Sequence, residues 1–242
     1  MSALAARNLE TATPADPRLI VALDLPTATE AEALVDRLGD QVCFYKVGLE
    51  LMATEGMALA RRLTASGRSV FADWKLHDIG NTVQRATAAI AGAEACAFLT
   101  VHGEPQSMTA AVKGRGASPM KLLAVTVLTS LDDADLAEMG YRLTASELVE
   151  RRVRQAVEAG FDGVISSPHE AATARRIGGP DFLVVTPGIR PASAALGDQA
   201  RAAGPADALK NGASHLVVGR PINAAEDPRA AAEAIVAEMA AV

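Results

Sequence analysis

Aromatic side chains are scarce in this chain: five Phe, two Tyr and one Trp among 242 residues, 3% in all. So few rings offer no platform for stacking nucleic-acid bases, and packing is expected to rest on Leu, Val, Ile and Ala. Positive charge is not in excess either. Lys and Arg number 23 against 29 Asp and Glu, a formal charge of −6. That balance excludes a general polyanion-binding surface for nucleic acid or anionic lipid, so an anionic ligand must be captured locally. The two cysteines, Cys43 and Cys96, lie in apolar runs and lack the CxxC or Cys/His spacing of a metal or redox motif. Both read as buried, reduced thiols in strands, which suits a cytoplasmic protein. No apolar run reaches membrane-spanning length, and MSALAARNLETATPADP lacks the apolar core of a signal peptide, so residues 1–17 read as a tail. GxGxxG is also missing: the turn after the first apolar run reads LDLPTATE, which leaves a Rossmann dinucleotide site little support.

What is present is a repeat of two textures. Short apolar, β-branched runs alternate with longer Ala/Leu/Glu/Arg stretches of helical period, the pattern of successive βα units. Eight strands are predicted: Leu19–Asp24, Val42–Val47, Ser69–Trp74, Ala95–Val101, Lys121–Val127, Gly163–Ser166, Phe182–Thr186 and His215–Gly219. Runs that are apolar throughout, rather than alternating, imply burial on both faces, as in a parallel barrel ringed by helices. The expected fold is therefore a single-domain α/β (β/α)8 TIM barrel over residues 18–242, with a doubly wound open sheet as the other architecture. In such barrels function gathers at the C-terminal strand ends, and those ends carry Asp24, Lys46, Asp73, Lys75, Arg190 and Arg220.

The segment FADWKLHDIGNT concentrates charge where the third strand runs out. Alternation along a strand puts Asp73 and Lys75 on one face, toward the barrel mouth, and Trp74 on the other, against the helices. Asp78 precedes a helix expected near Ile79, so it serves either as an N-cap or as a second carboxylate beside Lys75. A lysine between two carboxylates keeps its ammonium form and is suited to donate a proton, although structural ion-pair networks also gather charges at strand ends. The loops after the seventh and eighth strands often build a phosphate site in this fold. Here they supply Gly219, which lets backbone approach a ligand, and Arg220, whose planar fork suits a phosphate. Pro187-Gly188-Ile189-Arg190 opens a long segment that also contains Gln199, a candidate lid. His77, His102 and His169 have no evident catalytic partner, and His215 starts a strand at the barrel bottom, where residues serve stability.

Asp73-Trp-Lys75-Leu-His-Asp78-Ile-Gly-Asn-Thr82 resembles the DxKxxDIxxT signature of the orotidine 5′-phosphate decarboxylases. LDLP from Leu23, KVGLEL from Lys46, VTVLTS from Val125, TPGIRP from Thr186, Asp198-Gln199 and VVGRPI from Val217 are also similar to that family, in family order. Two positions depart: Trp74 stands where the family carries a smaller aliphatic residue, and Gly80 where it carries proline, which restrains a loop more. The resemblance implies decarboxylation of orotidine 5′-phosphate to UMP, the last step of de novo UMP synthesis, with no cofactor and no metal. Lys75 would protonate C6 within a network of Asp73, Asp78 and Lys46. Asp24 and Lys46 would hold the ribose. Arg220, the Gly219 backbone and Gln199 would hold the phosphate, with Arg190 serving the lid, and Thr129 or its neighbour Ser130 would face the pyrimidine. It also implies a homodimer in which Asp78 and Thr82 complete the partner's site. The competing readings are a magnesium-dependent sugar-phosphate decarboxylase or aldolase of related fold, whose second strand tends to end in an acidic residue where Lys46 stands, and a catalytically silent phosphate-binding scaffold.

Overall fold

The computed structural model describes residues 15–191 and 203–242. Eight parallel strands close into a barrel in sequence order: β1 (Leu19–Ala22), β2 (Phe44–Val47), β3 (Ser69–Leu76), β4 (Phe98–His102), β5 (Lys121–Val125), β6 (Gly163–Ile165), β7 (Leu183–Thr186) and β8 (His215–Val218). The connecting helices are α1 (Ala28–Leu38), α2 (Leu49–Met52), α3 (Gly56–Ala65), α4 (Gly80–Gly92), α5 (Pro105–Arg115), α6 (Asp133–Glu138), α7 (Ala145–Ala159), α8 (Ala171–Gly178), α9 (Pro205–Lys210), α10 (Arg220–Asn223) and α11 (Pro228–Met239). β1 pairs with both β2 and β8, which makes the structure a TIM barrel and sets aside the open sheet. Residues 1–14 of the expected tail lie outside the described residues.

Local sequence explains the elements. β1, β2 and the body of β7 are buried because helices cover one face and the barrel interior the other. α7 shows how the helices are specified: Thr144 and Glu147 form a reciprocal capping box, Gly160 ends the helix at φ 81°, and Leu148, Val149, Val153 and Ala156 make its buried stripe.

Leu, Val, Ile and Ala fill the layer between strands and helices, as expected. The barrel interior departs from that expectation. Three of the five Phe meet there: Phe98 lies edge-on to Phe44 at 4.9 Å and to Phe71 at 6.0 Å, beneath a ring of Ile20, Leu123, Val185 and Val217. Aromatic residues are few, yet three of them gather inside the barrel.

His215 joins that cluster, with its ring 5.3 Å from Phe98 and its Nδ1 3.0 Å from Ser214 Oγ. Burial depresses its pKa to about 4, partly offset by the nearby Asp16 carboxylate. The folded state therefore disfavours the imidazolium that the unfolded chain forms readily below about pH 6.5. Stability from this group is complete above that pH and is lost as pH falls toward 4, by up to about 3 kcal/mol. A His215→Phe variant should lose less stability than the parent between pH 7 and pH 4.5 in urea titrations. Parallel pH dependences would contradict this account.

The cysteines correct another expectation. β2 starts at Phe44 and β4 at Phe98, so Cys43 and Cys96 sit just before the strands, at the lower rim of the barrel, and are half-buried rather than enclosed. Both thiols are free, and burial raises both pKa values, that of Cys96 to about 11.

Candidate active site

A cavity of about 390 Å³ opens at the C-terminal ends of the strands. Its wall includes Asp24, Lys46, Asp73, Lys75, Thr129, Arg190, Gly219 and Arg220, so eight residues singled out in the sequence converge from six different strand ends or the loops after them. Each sits near or beyond the C-terminal end of a strand, and barrel closure turns all those ends to one side.

Four charges form a chain across one wall. Asp24 Oδ1 lies 2.7 Å from Lys46 Nζ, which lies 3.6 Å from Asp73 Oδ2; Asp73 Oδ1 lies 2.9 Å from Lys75 Nζ. The lysine flanked by two carboxylates within this chain is thus Lys46, whereas Lys75 pairs with Asp73 alone among the described residues. Burial pushes the Asp73 carboxyl up, but the Lys46 and Lys75 charges and hydrogen bonds from Lys75 and Thr100 outweigh it and hold the group below its ordinary range. Its side chain is only 14% exposed, so removing a partner would leave a poorly solvated charge.

Lys75 reaches the cavity by an irregular path. Ala72 of β3 pairs with Leu99 of β4, but Val101, two residues on, pairs with Leu76, four residues on. β3 therefore bulges, and Lys75 adopts φ 47°, a left-handed conformation uncommon for a residue with a side chain. Trp74 packs outward against the helices, as expected, and its Nε1 has no hydrogen-bond partner among the described residues.

Asp78 and Thr82 do not line the cavity of their own chain. Asp78 is exposed, and its Oδ1 accepts the N–H of the adjacent Ile79 at 2.6 Å, while α4 begins only at Gly80 with no side-chain cap. The N-cap expected of Asp78 therefore belongs to Ile79, because the chain needs one more extended residue before it can turn into the helix. Thr129 lies on the cavity wall and Ser130 does not. Gln199 lies outside the described residues. None of the four histidines reaches the wall; His77 Nε2 instead sits 3.7 Å from Glu104 Oε2, and Glu104 Oε1 accepts from Arg152 at 2.8 Å.

Two residues of the site went unread in the sequence. A Cβ on Gly48 would sit 2.8 Å from Asp24 Oδ1 and 3.1 Å from Lys46 Nζ, so glycine there makes room for that ion pair. The KVGLEL motif contained this signal. Thr100, fully buried on β4, accepts the Lys75 backbone N–H at 2.9 Å and donates to Asp73 Oδ1 at 3.0 Å. Nothing local distinguished it from any other strand threonine.

After β7, Gly188 adopts φ 78° and leads to Arg190, whose N–H bonds Ala203 O at 2.9 Å. Gly219 precedes the short helix α10, which begins with Arg220. Arg190 and Arg220 thus add two guanidinium groups to a wall that also carries the Asp/Lys chain, a distribution suited to a ligand with an anionic end.

The profile of the Orotidine 5′-phosphate decarboxylase / HUMPS family matches residues 17–235. The chain is 66% identical over 226 residues to a protein of Caulobacter sp. (strain K31) named orotidine 5′-phosphate decarboxylase, covering 93% of this chain and 98% of that one. A relative of the same name from Methylobacterium radiotolerans is 59% identical over 93% of this chain and 98% of its own. The crystal structure of orotidine 5′-phosphate decarboxylase from Lactobacillus acidophilus superposes with a TM-score of 0.81 at 41% identity, covering 93% of this chain and 99% of that one. The chain belongs to the Orotidine 5′-phosphate decarboxylase / HUMPS family.

Proposed function

We propose that this enzyme decarboxylates orotidine 5′-phosphate to UMP and CO2, completing de novo UMP synthesis, and that the Asp24–Lys46–Asp73–Lys75 array performs the chemistry. The observation that carries this reading is a lysine ammonium held 2.9 Å from a buried carboxylate at the open end of the barrel. Breaking the bond between C6 and its carboxylate releases CO2 and leaves an electron pair on C6 with no adjacent carbonyl to accept it. Lys75 stabilises that charge and transfers a proton to C6, forming the C–H bond of UMP; water then restores the ammonium. Asp73 faces the departing carboxylate. Asp24 accepts hydrogen bonds from ribose hydroxyls, assisted by Lys46. Arg220, the Gly219 backbone and Gln199 bind the phosphate, Arg190 serves the loop over it, and Thr129 faces the pyrimidine.

The active form is a homodimer in which Asp78 and Thr82 enter the partner's site. Three observations support this: neither residue lines the cavity of its own chain, Asp78 is exposed, and Ile79 between them is 68% exposed. Large apolar groups so exposed favour burial against another surface. The enzyme acts in the cytoplasm, in keeping with the free thiols of Cys43 and Cys96. Among the described residues, no helix is long and apolar enough to cross a membrane.

The second reading, a magnesium-dependent enzyme on a sugar phosphate, is disfavoured by Lys46. Its ammonium already pairs with both the Asp24 and Asp73 carboxylates, to which a divalent cation would bind. The discriminating assay follows the absorbance of orotidine 5′-phosphate with purified enzyme, with and without EDTA. Loss of substrate absorbance at equal rates in both is expected. Turnover confined to a sugar phosphate with added magnesium would select the other reading.

A further inference from the structure

The hydroxyl of Thr100 links the Lys75 backbone to the Asp73 carboxylate without lining the cavity. Thr100 alternates with Leu99 and Val101, which face the helices, so it shares the interior side of β4 with Phe98. There it accepts a hydrogen bond from the Lys75 backbone and gives one to the Asp73 carboxylate. A hydroxyl is suited to this double role because it can donate and accept at once. The Lys75 amide needs such a partner: the β3 bulge takes it out of the regular ladder, and its φ of 47° is one that an L-residue holds only when its surroundings enforce it. The same hydroxyl fixes one oxygen of Asp73, the oxygen that also meets Lys75 Nζ.

We propose that Thr100 is a positioning residue for the decarboxylation: its hydroxyl locks the Lys75 turn and the Asp73 carboxylate in one geometry, so that ammonium and carboxylate are preorganised against C6. The inference rests on the assignment of Lys75 and Asp73 as the reacting pair. A misplacement of such groups by about 1 Å costs on the order of 100-fold in rate even when binding is preserved. Thr100→Val keeps the side-chain shape and the preference for a strand but removes the hydroxyl.

The test compares full-length parent, Thr100→Val, Thr100→Ser and Lys75→Ala enzymes in steady-state turnover of orotidine 5′-phosphate, alongside hydrogen exchange at the Lys75 amide. The valine variant is expected to lose about 100-fold in kcat with KM within roughly threefold of the parent, a split that marks lost transition-state positioning. Serine should restore kcat to within roughly fivefold, since it returns the hydroxyl. Lys75 amide protection should fall in the valine variant and persist in the serine variant. A valine enzyme as active as the parent, or a serine enzyme as impaired as the valine one, overturns the proposal. If the valine variant does not fold, Thr100→Cys replaces it with the same expectations, because a buried thiol fills the space while hydrogen-bonding weakly. Should Lys75→Ala retain parent activity, the assignment of the reacting pair fails; loss of Lys75 protection in the valine variant would still establish the hold of Thr100 on the backbone.

Discussion

Lys75→Ala is expected to lower kcat for orotidine 5′-phosphate by at least about 10⁴-fold, combining the loss of a proton donor with the loss of charge stabilisation at C6. The substitution removes the ammonium paired with Asp73 Oδ1 and leaves Asp73 held by Lys46 and Thr100. The fold should survive, because the remaining partners still satisfy the buried carboxylate. Binding of UMP, measured by calorimetry, should change far less than turnover, since Arg190, Gly219 and Arg220 stand on another part of the wall. The loss of Lys75 also removes one of the charges that keep the Asp73 carboxyl below its ordinary range. The sign follows: Asp73 contributes stability above the unfolded carboxylate pKa and loses it as pH falls through the folded value, so in the variant that loss sets in at higher pH. A variant retaining kcat within about 100-fold of the parent would remove Lys75 from the role of proton donor.

Mixing Lys75→Ala with Asp78→Ala enzyme should restore activity that neither has alone. If each site takes Lys75 from one subunit and Asp78 from the other, a heterodimer of the two variants contains one intact site and one doubly altered site. Random exchange of equal amounts then yields about one quarter of parent activity, as expected for a two-fold symmetric dimer with shared sites. The geometry behind this is the exposed Asp78, Ile79 and α4 entrance, which leave the cavity of their own chain without a carboxylate from the DIGNT segment. Exchange can be driven by brief exposure to mild denaturant, and heterodimers can be isolated through two different affinity tags. Isolated heterodimers as inactive as either parent variant would show that Asp78 does not act across an interface.

The eight βα units were readable because each strand is a short, doubly buried apolar run, and burial on both faces leaves a strong compositional trace. The trace blurs at the ends. Expected strands that began with Val42 and Ala95 start instead at Phe44 and Phe98, which leaves the cysteines at the rim. Asp24, Lys46, Asp73, Lys75 and Arg220 were readable because charge at the end of an apolar strand has few reasons to be there. Thr100 was not, since a threonine in a strand is ordinary and its value depends on a bulge in the neighbouring strand. The bulge itself left no sign in FADWKLHD, where simple alternation already accounted for the faces of Asp73, Trp74 and Lys75. The role of Gly48 depended on knowing that Asp24 and Lys46, 22 residues apart, close to 2.7 Å.

Composition and periodicity settled the class of fold and which end of it gathers the charged side chains, because burial and strand alternation are local properties that each short segment expresses alone. The tertiary structure decided which lysine is flanked by two carboxylates, that Asp78 stays off the cavity wall of its own chain and what holds Lys75 in its left-handed turn. Those are matters of register between strands, where a shift of one residue moves a charge by several Å, and Coulomb and hydrogen-bond energies change steeply over that distance.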